Sequence, residues 1–173
     1  KGINYRMHPG NVGCLTAAGI DGCVLANNHV LDWGHAGLAE TLQVLQAAGL
    51  ATAGAGAGEA QAGAPAIFEV PGGRVLLFAA ATASSGVPRD WRAGTGCSGV
   101  CLLDDLDLRS AARLAARIDA VRCPGDTVLV SLHWGGNWGY PIGRDERAFA
   151  HALVDAGVDL VHGHSSHHAR AFE

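Results

Sequence analysis

Histidines stand at three places where an apolar, strand-like run gives way to a loop. Cys23–Ala26 leads into Asn27-Asn28-His29, and Thr127–Leu132 leads into His133-Trp134-Gly135-Gly136. Val158–Val161 leads into His162-Gly163-His164-Ser165-Ser166-His167-His168. Of the nine histidines in the chain, four fall between His162 and His168. Imidazole, carboxamide and carboxylate groups suit divalent ions such as Zn, Mn, Fe and Mg. Glycines beside them let the backbone turn sharply and approach an ion or a phosphate closely. In open α/β sheets ligands bind outside the carboxyl ends of strands. Three histidine-bearing strand ends in one sheet are therefore expected to converge on one site, with Lewis-acid and proton-transfer chemistry as its natural uses.

Other candidates are weaker. Asp32, three residues past His29, has two readings: it orients a ligand from behind, or it caps the next helix. Trp134 and Trp138 frame the His133 loop and could wall a pocket. His8, His35 and His151 sit on helices or helix starts and read as structural. Asp104, Asp105 and Asp107 suit a helix N-terminus, as do Asp145 and Glu146.

The elements that must position these residues alternate between helix and strand. Ala17-Ala18-Gly19-Ile20, Ala47-Ala48-Gly49-Leu50 and Asp155-Ala156-Gly157-Val158 each end a helical stretch with Gly at the left-handed C′ position. An apolar strand soon follows each one, the punctuation of layered α/β folds. A first helix is expected over Pro9–Ala18 and a strand over Gly22–Ala26. Leu38, Leu42 and Leu45 form one helical face. Ile67–Val70 and Val75–Ala80 flank Pro71-Gly72-Gly73 as a hairpin. Leu108, Ala111, Ala115, Ile118 and Val121 form another apolar face, and Ala148, Ala152 and Leu153 a third. The polar stretch Ser84–Ser98 reads as a binding or mobile loop. Gly54-x-Gly56-x-Gly58 lacks the spacing of a dinucleotide fingerprint, so Ala53–Gly58 is expected to be a flexible connection.

Composition excludes several classes. The chain has 173 residues, 49% hydrophobic and 16% charged, which is incompatible with general disorder. Its net charge of −4 and lack of a basic stripe argue against a nucleic-acid partner. No run of about 18 uncharged apolar residues is present to span a membrane. Five scattered cysteines do not form a disulfide framework and favour a cytoplasmic setting, with cell-envelope association left open. The opening Lys1-Gly2-Ile3-Asn4, without Met, reads as a fragment or processed form.

Longer motifs carry a family resemblance. Leu25-Ala26-Asn27-Asn28-His29-Val30-Leu31-Asp32-Trp33-Gly34, followed by Gly37-Leu38-Ala39-Glu40-Thr41-Leu42, resembles the CapA family of poly-γ-glutamate capsule-synthesis proteins. Ser131-Leu132-His133-Trp134-Gly135 resembles its second histidine motif. Ala156-Gly157-Val158-Asp159-Leu160-Val161-His162-Gly163-His164-Ser165-Ser166-His167 resembles its third. Tyr5-Arg6-Met7-His8-Pro9 is similar to the segment before the first. That family is similar to calcineurin-like metallophosphoesterases.

The resemblance implies a layered α/β sandwich over 1–173, one metallophosphatase-like domain in incomplete form, with a two-metal centre at strand ends. It makes Asn28, His133, His164 and His167 metal ligands and His29 the group that protonates the leaving group. The last motif is one residue longer than the Gly-His-x-His of the phosphoesterases, so His168 competes with His167. It also implies an upstream strand ending in Gly-Asp, an acidic Asn-x-Glu-like motif and a further strand after Glu173, none of them present here. A metal-dependent hydrolase acting on a phosphoester or a γ-glutamyl chain, among capsule-synthesis partners, is the function implied. A non-catalytic assembly subunit keeping the fold is the alternative.

Overall fold

A computed structural model of the chain describes residues 2–173. A 3₁₀ turn, Pro9–Asn11, and the short helix α1, Gly13–Ala17, replace the single first helix expected there. Then come β1 (Gly22–Val24), α2 (Gly34–Ala47), β2 (Ala51–Ala53), β3 (Ala55–Gly56) and α3 (Glu59–Gly63). The hairpin strands β4 (Ala66–Val70) and β5 (Gly73–Ala81) follow, then β6 (Gly99–Val100). The chain continues through α4 (Leu108–Asp119), β7 (Thr127–His133), α5 (Arg144–Asp155) and β8 (Leu160–His164). The result is a mixed α/β layered fold.

The principal sheet has the order β4-β5-β7-β8. β4 and β5 are antiparallel, closed by Pro71-Gly72 with Val70 opposite Gly73. Pro presets φ for that turn and Gly72, at φ 96°, takes its left-handed position. β5, β7 and β8 are parallel, joined by crossovers that contain α4 and α5. β1 and β2 form a second parallel pair joined through α2, and β3 pairs antiparallel with β6.

Alternation along the strands divides the core. Leu76, Phe78 and Ala80 of β5 and Val128, Val130 and Leu132 of β7 pack under Leu114 and Ile118 of α4 and Phe149 and Leu153 of α5. Ala79 and Ala81, on the other face of β5, pack with Ala26, Ala53, Val100 and Leu102. Leu38 and Leu45 of α2 close a third cluster with Leu25, Leu31 and Leu50. The α4 face differs from its expected form. Leu114 is buried, whereas Leu108 and Val121 are exposed.

The three C′ glycines behave as their sequence requires. Gly19, Gly49 and Gly157 have φ of 71°, 76° and 91°. Behind them Ile20, Leu50 and Val158 donate their amides to the carbonyls of Leu15, Leu45 and Leu153, the six-residue closure of a Schellman motif. The last of these moves the final strand. Val158 is spent on the helix end, so β8 begins at Leu160 rather than at Val158 and extends to His164.

Ala53–Gly58 is not the flexible connection expected. Ala53, Gly54, Ala55 and Gly56 are buried, and Ala55 and Gly56 pair with Val100 and Gly99. Gly54 has φ 90°, and a Cβ there would lie 2.6 Å from Ala26 Cβ and 2.8 Å from Ala79 Cβ. The small residues let two backbones approach where larger side chains would hold the sheets apart. Ser84–Ser98 is likewise anchored, with Ser85, Val87 and Ala93 buried.

Arg74 at the start of β5 makes two hydrogen bonds, of 2.9 and 2.6 Å, to Asp126 just before β7. Asp126 also accepts from Cys123 N at 2.7 Å. The Arg74 guanidinium, then the Cys123 amide, hold this carboxyl down to about 2. A depressed carboxylate contributes stability that is complete above its ordinary value near 3.8 and is lost as pH falls through about 2. Urea titrations of Asp126→Asn should therefore show lower stability than wild type at pH 6, with the difference closing between about pH 4 and 2. A difference independent of pH across that window would contradict the assignment.

Candidate metal centre

β7 and β8 run in register, with Ser131 opposite His162 and His133 opposite His164. Residues two apart on a strand share a face, so the four side chains form a two-step polar ladder. In one step Ser131 Oγ lies 3.1 Å from His162 Nδ1. In the other, His133 Nδ1 lies 3.1 Å from His164 Nδ1. His162 and His164 stack at 5.6 Å with planes 12° apart. His133 is 7% exposed. Its Nε2 and that of His164 are buried without a hydrogen-bond partner.

Loop ends lock this ladder. The His133 carbonyl accepts from Thr82 N at 3.0 Å and lies 2.8 Å from Ser85 Oγ, whose proton it shares with the Thr82 carbonyl. Ser84 Oγ accepts from Gly135 N at 3.0 Å, and Ser165 Oγ donates to Gly135 O at 3.1 Å. Ser165 is the one non-glycine at positive φ among the described residues, 128°, directly after His164. Backbone strain of that kind costs about 1–3 kcal/mol and persists where surrounding structure imposes it.

The first loop reaches the same region. Asn27 Oδ1 accepts from His29 N at 2.8 Å, an Asx turn that starts the loop. His29 Nδ1 donates to Asp32 Oδ2 at 2.7 Å, and Tyr5 N donates to the same oxygen at 2.9 Å. The Asp32 side chain is 1% exposed. Asp32 thus contacts His29 and makes no cap on α2. The α2 N-cap is Trp33, without a side-chain cap bond. Asn28 reaches the turn that also holds the His133 carbonyl: a Cβ on Gly86 would lie 3.5 Å from Asn28 Nδ2.

Electrostatics favour neutral imidazoles. Burial first, then His164 and His29, push the proton affinity of His133 down to about 4. Burial, then His162, lowers that of His164. Neutral rings offer the lone pairs a metal requires.

The other sequence candidates lie outside this pair. His167 stands edge-on to Trp138 at 5.5 Å, and its amide donates to Asn137 O. His168 stacks on Trp138 at 6.0 Å and meets Tyr140 at 4.7 Å. Trp134 packs on Phe149 of α5, and its indole passes over Gly163, where a Cβ would collide with it. His162, Ser131 and the Thr82–Ser85 hydroxyls were absent from the sequence candidates. The spacing His162-x-His164 was the available signal, but it places both rings on one face only once the strand is known to include them.

For a divalent ion the residues fit in part. Two nitrogens bound at about 2.0–2.1 Å can lie up to about 4 Å apart, and His133 and His164 satisfy this through Nδ1. Among the described residues no three His, Cys, Asp or Glu side chains gather closely enough to hold an ion. His133 and His164 supply, among the described residues, two nitrogens close enough together to reach one ion.

Comparison with known proteins gives a consistent picture. Residues 1–173 match the family model described as bacterial capsule synthesis protein PGA_cap. The whole chain is 47% identical to 46% of a probable polyglutamine synthesis accessory protein of Mycobacterium tuberculosis. It is 27% identical to 41% of the capsule biosynthesis protein CapA of Bacillus anthracis. Over 82% of its length it is 28% identical to 35% of the PGA biosynthesis protein CapA of Bacillus subtilis. The chain spans less than half the length of each of these relatives.

Proposed function

The chain belongs to the bacterial capsule synthesis protein family, and from that premise we propose that it carries part of a metal-dependent hydrolase site serving capsule or poly-γ-glutamate synthesis. The observation that carries this reading is the buried His133–His164 pair, neutral and set at adjacent strand ends beside the His29–Asp32 couple. His133 and His164 would hold one divalent ion, Mn, Fe, Zn or Mg, with the Asn28 carboxamide as an oxygen donor. When bound, such an ion supplies Lewis-acid polarisation and a more acidic water.

The remaining chemistry belongs to the chain's own groups. Asp32 accepts the Nδ1 proton of His29 and leaves Nε2 as the nitrogen that faces a substrate. A buried carboxylate behind an imidazole fixes the orientation of its ring. His29 gives a proton from Nε2 to the leaving oxygen or nitrogen of a phosphoester or a γ-glutamyl amide as water adds and the bond to that atom breaks. The proton the water loses returns to the ring. His167 and His168 are assigned no part in holding the ion.

The alternative is a subunit that keeps the fold and assembles with partners without turnover. It draws on the incomplete donor set. The two readings separate in one assay on the protein that carries this chain, supplied with Mn²⁺. Turnover of bis(p-nitrophenyl) phosphate or γ-glutamyl p-nitroanilide that disappears with chelation is expected. Protein that retains bound metal yet turns over neither substrate would favour the assembly reading.

A further inference from the structure

A cavity of about 770 Å³ opens beside His29, between the extended segment Tyr5–Pro9 and α2. Its walls are mostly apolar, with Met7, Pro9, Val12, Val44 and Leu45 among them, and Asn27, His29 and Thr41 add polar groups. Tyr5, Met7 and Trp33 form a rim that is 62%, 50% and 53% exposed. A concave site with an exposed apolar rim and a few polar groups at one end is the usual form of a small-molecule pocket. The fully charged side chains in its lining are Arg6 and Glu40, 3.9 Å apart and opposite in sign.

The segment over the cavity is tied to the same groups that serve His29. Tyr5 N donates to Asp32 Oδ2 at 2.9 Å, the oxygen that also receives the His29 Nδ1 proton. Trp33 Nε1 donates to Tyr5 O at 2.9 Å, and the Tyr5 ring stands edge-on to His29 at 4.5 Å. Arg6 lies over the Trp33 ring at 5.2 Å. Strap, cavity and imidazole therefore form one connected unit.

We propose that this cavity binds the aliphatic part of an amphiphilic ligand and sets its hydrogen-bonding head, a hydroxyl, at His29. A polyanionic chain does not suit the walls. Its carboxylates would lose water there, and Arg6, the one guanidinium in the lining, is already paired with Glu40. An aliphatic chain loses nothing by entering and gains contact with flexible Met7 and the valines. The head position rests on the role given to His29, but binding of the aliphatic part needs neither metal nor turnover.

The test is a fluorescence titration of the protein carrying this chain with a dansylated fatty acid, displaced by dodecanoate or by dodecanol. Saturable binding displaced by both is expected. Val44→Trp fills the cavity, and Met7→Asp puts a charge on its exposed rim without touching the core. Each should weaken probe binding about tenfold or more. His29→Ala should weaken dodecanol, whose hydroxyl can donate to Nε2, more than dodecanoate, whose head only accepts. The proposal is overturned by absence of saturable binding, as when another segment of the protein fills the cavity, or by binding unchanged in both Val44→Trp and Met7→Asp. Equal effects of His29→Ala on the two displacers would remove the head from His29. Probe binding by a wild-type protein that turns over neither the phosphodiester nor the γ-glutamyl substrate would instead strike the hydrolase reading alone.

Discussion

Replacing His29 by alanine in the protein that carries this chain should lower kcat by about 10²–10⁴-fold, the range of positioned proton transfer, while metal content stays near wild type. The expectation rests on the division of labour in the first loop. The Nδ1 of His29 is committed to Asp32 at 2.7 Å, a carboxylate that also binds the Tyr5 amide. That side of the ring is therefore closed to an ion, and Nε2 is left for a substrate. Asp32→Asn should reduce kcat less than His29→Ala, because an amide oxygen can still accept the Nδ1 proton and hold the ring in place. Metal loss in His29→Ala matching that in His133→Ala would show the assignment to be wrong.

His133→Ala is expected to have the larger effect on metal. Its ring is buried, neutral at pH 7 and 3.1 Å from the His164 nitrogen. Removing one of two protein nitrogens should weaken binding more than the about 10–100-fold typical of outer partners. His164→Ala should do the same. Ser131→Ala, which touches His162 on the neighbouring step, should stay within or below that range. His167→Ala should leave binding unchanged, since its ring lies against Trp138. Isothermal titration of metal-stripped residues 1–173 should give no more than one ion per chain. Tight uptake of two ions, or metal loss in His167→Ala equal to that in His164→Ala, would contradict this donor set.

Local signals in the amino-acid order determined a good part of the architecture. Gly19, Gly49 and Gly157 mark helix ends because only a residue without Cβ enters the left-handed region cheaply. Pro71-Gly72 marks the hairpin for a similar local reason. The runs before His29 and His133 read as strands because buried parallel strands are continuously apolar. Three histidine-bearing strand ends were expected in one sheet; β7 and β8 share one, whereas β1, ending at Val24 before His29, pairs with β2 in another. The motifs point to the family, which the match over residues 1–173 bears out.

Other features depended on partners far away along the chain. The sequence reading made Ala53–Gly58 flexible because Ala and Gly runs lack side chains to pack. Tertiary structure buries Ala53, Gly54, Ala55 and Gly56, and at Gly54 the neighbouring Ala26 and Ala79 leave no room for a side chain. Asp32 could cap a helix or orient His29, and the Tyr5 amide arriving from 27 residues away helps decide between them. His164 rather than His167 meets His133 because β7 and β8 pair in a register that places them opposite each other. A shift of one residue would have turned every side chain of β8 to the other face. Local preferences act through a residue's own torsions and near neighbours, so they are legible in order alone. Register, burial and the pairing of two imidazoles are set by contacts that exist only after the strands have docked.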